Sequence, residues 1–119
     1  MSEKQNVTVL CCANSYEQKY YLNPDFERLP ESVKAELKIM CVLFTEDIGG
    51  IIILQFEEDG NLEIRVEAAQ EDYLFDEIGS GLKVRELQRT KYELFRSLEL
   101  YYKVLTGKMS PEDFEESEE

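Results

Sequence analysis

The sequence predicts an α+β fold: a four-stranded antiparallel sheet with two main helices packed on one face, in the order β-β-α-β-β-α. Three observations predict it. Two pairs of short strand-like runs are each joined by a tight polar link, within residues 7–22 and 51–68. Each pair is followed by a stretch whose apolar residues recur every three or four positions, at residues 30–48 and 82–105. At 119 residues, 43% of them hydrophobic, the chain can build one core.

Residues 7–13 read as the first strand, with Val7, Val9 and Cys11 on one face and Thr8, Leu10 and Cys12 on the other. Both faces are largely apolar, which predicts a strand interior to the sheet. Asn14-Ser15 is a turn signal, and residues 16–22 read as a second strand rich in Tyr. Asn23-Pro24-Asp25 ends it, because Pro donates nothing to a ladder.

A helix is expected to begin near Pro30, whose missing N–H costs nothing at the first helical position. Val33, Leu37, Met40, Cys41, Phe44 and Ile48 share one face, and Ile39, Val42 and Leu43 make the second half apolar nearly all round. Such a helix is expected to be covered on more than one side. Gly49-Gly50 supplies the stop.

The second hairpin joins residues 51–57 to 62–68 through Glu58-Asp59-Gly60. A two-residue Asp59-Gly60 loop would pair Phe56 with Glu63 and Leu54 with Arg65. A three-residue loop with Gly60 left-handed pairs Phe56 with Leu62, Leu54 with Ile64 and Ile52 with Val66. The second register sets each large apolar residue opposite another, and it is the one predicted.

Residues 71–81 read as a short helical turn and a break, and a long helix is expected from about Leu82 to Leu105. The domain is expected to span residues 1–108. Residues 109–119 hold six acidic residues and no basic one, the composition of a disordered tail.

Charge and residue usage exclude several functions. The net charge is −13 with a pI near 4.4, which argues against nucleic acid as a partner, because phosphate neutralisation needs clustered Lys and Arg. The chain has no His, so Ser-His and Cys-His nucleophile pairs and His-based zinc sites are excluded within it. Cys11, Cys12 and Cys41 are an odd set, unlike a secreted disulfide framework, and read as reduced thiols in the core. The alternative is a three-thiolate metal site from Cys11, Cys12 and Cys41, which is disfavoured because adjacent strand residues point to opposite faces and rarely share one ion. No apolar run reaches the length of a membrane span, and the first residues are polar, so the chain is placed in the cytoplasm.

Several stretches are distinctive: Cys12-Ala13-Asn14-Ser15-Tyr16-Glu17-Gln18-Lys19-Tyr20-Tyr21-Leu22, then Leu37-Lys38-Ile39-Met40-Cys41-Val42-Leu43-Phe44-Thr45-Glu46-Asp47, and Leu74-Phe75-Asp76-Glu77-Ile78-Gly79-Ser80-Gly81-Leu82. Together they resemble a family of small uncharacterised proteins from anaerobic Firmicutes, a domain of unknown function, over about residues 8–106. The resemblance implies a bacterial cytoplasmic protein. It brings no activity, catalytic residue or cofactor.

Two candidate sites emerge from the residues themselves. From Glu46 to Glu77 eleven acidic residues stand against Arg65 alone, whereas residues 82–105 hold six basic and three acidic residues. Arg85, Arg89, Tyr92, Arg96 and Lys103 are spaced to form one helical stripe, a docking surface for an acidic partner or anion, or a solvated complement to the acidic sheet and tail. Tyr20, Asp72 and Asp76 form a candidate pocket, with Tyr16 and Tyr21 on the same strand as Tyr20 and Glu67 and Glu71 close to Asp72. Carboxylates there would hold Mg²⁺ or Ca²⁺ through oxygen, but the spacing matches no calcium loop. Gly79-Ser80-Gly81 would cradle an anion if its N–H groups were free, and otherwise reads as a helix break capped by Ser80. No catalytic, metal or cofactor residue is assigned. The reading that follows is a non-enzymatic protein-binding or regulatory module, self-associating as a homodimer. The alternative is a small-ligand or divalent-metal-binding protein, or a minor enzyme, using Tyr and carboxylates.

Overall fold

The computed structural model describes residues 7–107. Strands β1 (Thr8–Asn14), β2 (Lys19–Leu22), β3 (Ile51–Phe56) and β4 (Leu62–Glu67) form one antiparallel sheet in the order β2-β1-β3-β4. A 3-10 turn at Pro24–Phe26 and helix α1 (Glu31–Asp47) link the two hairpins, and α2 (Glu77–Thr90) and α3 (Tyr92–Leu105) follow the second. The class is α+β, with three helices where two were expected. The segment expected to be a disordered tail, residues 109–119, lies outside the described residues.

The apolar patterns account for the core. β1 is interior to the sheet, and Cys11, Ala13, Ile52, Leu54 and Phe56 are buried on the face that meets the helices. Leu37, Met40, Cys41 and Phe44 come down from α1, Leu87 from α2, and Phe95, Leu98 and Tyr102 from α3. A bulge between Val9 and Cys11 lets neighbouring Leu10 and Cys11 both be buried. Phe26 packs against both Phe56 and Tyr102, with ring centroids 5.6 Å and 6.4 Å away.

The second hairpin pairs Phe56 with Leu62, Leu54 with Ile64 and Ile52 with Val66, the register chosen from the faces. Glu57 N–H donates to Asn61 O at 2.8 Å, and Gly60 takes φ 92° between them, so Gly serves there without a Cβ penalty.

Three local expectations are corrected. The second strand begins at Lys19 and not at Tyr16. Asn14 Oδ1 accepts from the N–H of Tyr16 at 2.9 Å and Glu17 at 3.2 Å, so a four-residue turn forms before pairing resumes. The helix after β4 begins at Glu77, not Leu82: the Asp76 carboxylate accepts from Gly79 N–H at 2.9 Å, which places Gly79-Ser80-Gly81 inside the helix and leaves no free anion cradle. The expected single helix over 82–105 bends at Lys91, whose ψ is 24°. Thr90 Oγ1 donates back to Glu86 O at 2.8 Å, a contact that bends helices, and the bend lets both Leu87 and Phe95 reach the core.

The outer side of α1 also differs from expectation. Ile39 and Leu43 are 58% and 56% exposed, so among the described residues that flank of the helix is left uncovered.

Candidate functional site

β4 lies at one edge of the sheet. Its alternation turns Leu62, Ile64 and Val66 toward the helical layer and leaves Glu63, Arg65 and Glu67 exposed on the other face. Beyond β4 the chain crosses the end of the sheet before entering α2. Two contacts hold this crossing. Tyr16 Oη donates to Asp72 Oδ2 at 2.6 Å and accepts from Ala69 N–H at 2.9 Å. Phe75 packs against Gly50, where φ is 74° and an added Cβ would fall 2.8 Å from the Phe75 ring and 2.7 Å from Glu67 O.

Between β4, this crossing and α2 lies an open groove of about 1090 Å³, with Ile64, Val66 and Val84 as apolar walls and Asp72, Asp76 and Arg85 among its polar ones. The structure therefore lines Asp72 and Asp76 along one groove. Tyr20 is not with them. It sits on β2 beside a different hollow with Lys38, Val42 and Glu46, because β2 and β4 are opposite edges of the sheet. Tyr16 takes the place beside Asp72, and that hydrogen bond pushes its hydroxyl pKa up.

Tyr20 belongs instead to a buried cluster. Cys11 and Cys41 face each other with Sγ atoms 3.9 Å apart, and Tyr20 Oη is buried with no hydrogen-bond partner among the described residues. Burial pushes the Tyr20 hydroxyl far up, and the Cys41 thiol is raised by its contact with Cys11 and by burial, so these two stay protonated at neutral pH. Cys12 points to the other face, as adjacent strand positions require. Among the described residues no group of three or more Cys, Asp or Glu side chains converges as a metal site.

The bend at Lys91 divides the basic stripe. Arg85 and Arg89 lie on α2, and Tyr92, Arg96 and Lys103 lie on α3. Arg96 Nη1 donates to Tyr92 Oη at 3.1 Å, and the Lys103 stem covers Gly60 in the β3–β4 turn. Glu99, on the same side of α3, accepts from the N–H of Leu62 at 2.8 Å. The α3 half of the stripe thus runs along the β4 edge, while Arg85 lies in the groove wall.

On the open face, buried Gln55 donates to Glu57 at 3.0 Å and Glu63 at 3.4 Å and accepts from Arg65 Nη1 at 3.2 Å; Arg65 also pairs with Glu67. The contact between the two carboxyls pushes Glu63 up and holds Glu57 down.

Sequence reasoning missed one surface feature. Tyr73, Leu74, Ile78 and Leu82 follow one another into α2 and are 89%, 94%, 78% and 59% exposed. Their spacing was visible, but a break placed at Gly79–Gly81 hid the shared face of Ile78 and Leu82.

These features define a small α+β protein with an edge-strand groove and an exposed apolar ridge. The chain belongs to a family of unknown function, DUF6145, which it matches over residues 7–110. No curated protein and no solved structure matches it. Among the described residues no helix is long and apolar enough to cross a membrane.

Proposed function

We propose that the protein is a non-enzymatic protein-binding module acting in the cytoplasm. The observation that supports this most is the ridge Tyr73-Leu74-Ile78-Leu82, which leaves four large apolar side chains in water on an otherwise highly charged chain. Contiguous exposed apolar residues mark interaction surfaces. Arg85 and Arg89 on the same helix would orient an acidic partner, and the acidic chain as a whole disfavours nucleic acid in that role.

A pull-down from the native host with the wild-type chain and with Leu74→Asp/Ile78→Glu tests this reading. The expected result is one stoichiometric protein recovered by the wild type and lost by the variant. Equal recovery by both would remove the ridge from the interface.

A second reading has one observation in its favour: Asp72 and Asp76 line a groove that also has apolar walls, as small-ligand sites do. A metabolite or divalent metal retained on the purified chain, and lost in Asp72→Asn/Asp76→Asn, would support it.

A further inference from the structure

We propose that β4 receives a second copy of this chain, paired antiparallel along its free edge so that the two sheets become continuous. This goes beyond the ridge and rests on the main-chain edge of β4. Of the two sheet edges, β2 is four residues long and β4 six. The bond from Leu62 N–H to Glu99 shows that Leu62, Ile64 and Val66 direct their main-chain groups away from β3. Glu99 occupies the first of these. Among the described residues, the N–H and C=O groups of Ile64 and Val66 have no hydrogen-bond partner. Unpaired edges of this kind are templates for strand addition. The groove beside β4 leaves room for the inward side chains of an added strand.

The charge pattern indicates which strand is added. Glu63, Arg65 and Glu67 alternate in sign along the exposed face of β4. With a two-fold axis through Ile64, Glu63 lies opposite Arg65 of the second copy and Arg65 opposite its Glu63, while Leu62 meets Val66 on the helical side.

Sedimentation of the full chain tests this. The expected result is a dimer at high micromolar concentration that dissociates on dilution. Arg65→Glu should weaken it by about tenfold, because two attractive cross-strand pairs become repulsive. Glu63→Arg/Arg65→Glu should restore it by exchanging the signs. Val66→Pro, which removes an edge N–H not used within the chain, should give a monomer with an unchanged circular dichroism spectrum. If that variant does not fold, the charge exchange decides. A wild-type monomer at high micromolar concentration overturns the proposal, as does a dimer indifferent to Arg65→Glu. Loss of the dimer in Leu74→Asp, a ridge position outside the groove, would place the contact on the ridge and also overturn it.

Discussion

The ring of Tyr102 lies parallel to that of Phe56, with centroids 4.2 Å apart and 1° between their planes. Tyr102 Oη also shares a 3.0 Å hydrogen bond with Thr8 Oγ1. One side chain of α3 thereby joins the start of β1 to the end of β3. Phe56→Ala removes this platform from a fully buried site and is expected to cost about 3–5 kcal/mol, measured by denaturant unfolding. Tyr102→Phe keeps the stack and should cost only about 0.5–1.5 kcal/mol through the lost hydrogen bond.

Tyr20 gives the opposite sign. Its hydroxyl is buried with no partner among the described residues. Tyr20→Phe removes the unsatisfied group and keeps the ring, so it should stabilise the fold by about 1 kcal/mol. A decrease in stability would mean that the hydroxyl has a partner in solution.

Alkaline pH should weaken the fold through the same cluster. In the unfolded chain Cys41 and Tyr20 ionise near their ordinary values of 9.0 and 10.0, but in the folded chain both are raised. Above these values the unfolded state binds fewer protons than the folded state, so stability falls as pH rises. The contribution is fully present below pH 9.0. Unfolding curves across the alkaline range should show the decline, and Cys41→Ala should make it shallower.

Gly50→Ala should be costly at an outwardly simple position. It combines a positive φ with an added Cβ only 2.7 Å from Glu67 O and 2.8 Å from the Phe75 ring. A loss of roughly 1–3 kcal/mol is expected. Proteolysis within residues 68–76 should speed up by more than the global loss predicts, since this glycine lets the crossing segment pack.

Truncation after Lys108 should leave the melting temperature nearly unchanged at moderate salt. The removed residues carry six like charges and, apart from Met109, one large apolar side chain, Phe114, too little to offset the entropy of ordering. Unfolding on truncation would make the segment an integral element.

The sheet was legible in the sequence where side-chain alternation is strict. Phe56/Leu62, Leu54/Ile64 and Ile52/Val66 have one register that pairs like with like, and α1 has an unbroken stripe between Pro30 and Gly49. Elsewhere competing local signals misled. Tyr16 looked like strand because of its aromatic neighbours, yet the Asn14 side chain captures the amides that follow it. The glycines at 79 and 81 outweighed Asp76, although Asp just before an apolar series is itself a helix-start signal. The grouping of Tyr20 with Asp72 and Asp76 failed because it needed the order of strands across the sheet, which no local pattern contains. The groove beside β4 was hidden for the same reason.

That strand order also governs how the sheet can assemble as the chain is made. β1–β2 and β3–β4 are neighbours in sequence and zip locally, but β1 must keep its other edge open until all of α1 has emerged and β3 arrives. Joining the two hairpins is the one strand pairing with a large loop to close, so this step sets the pace of folding. Until it occurs, the nascent hairpin presents β1, with Val9, Leu10, Cys11 and Cys12, as an uncovered edge. Crowded translation therefore exposes this protein to misassembly at its first strand rather than at its last.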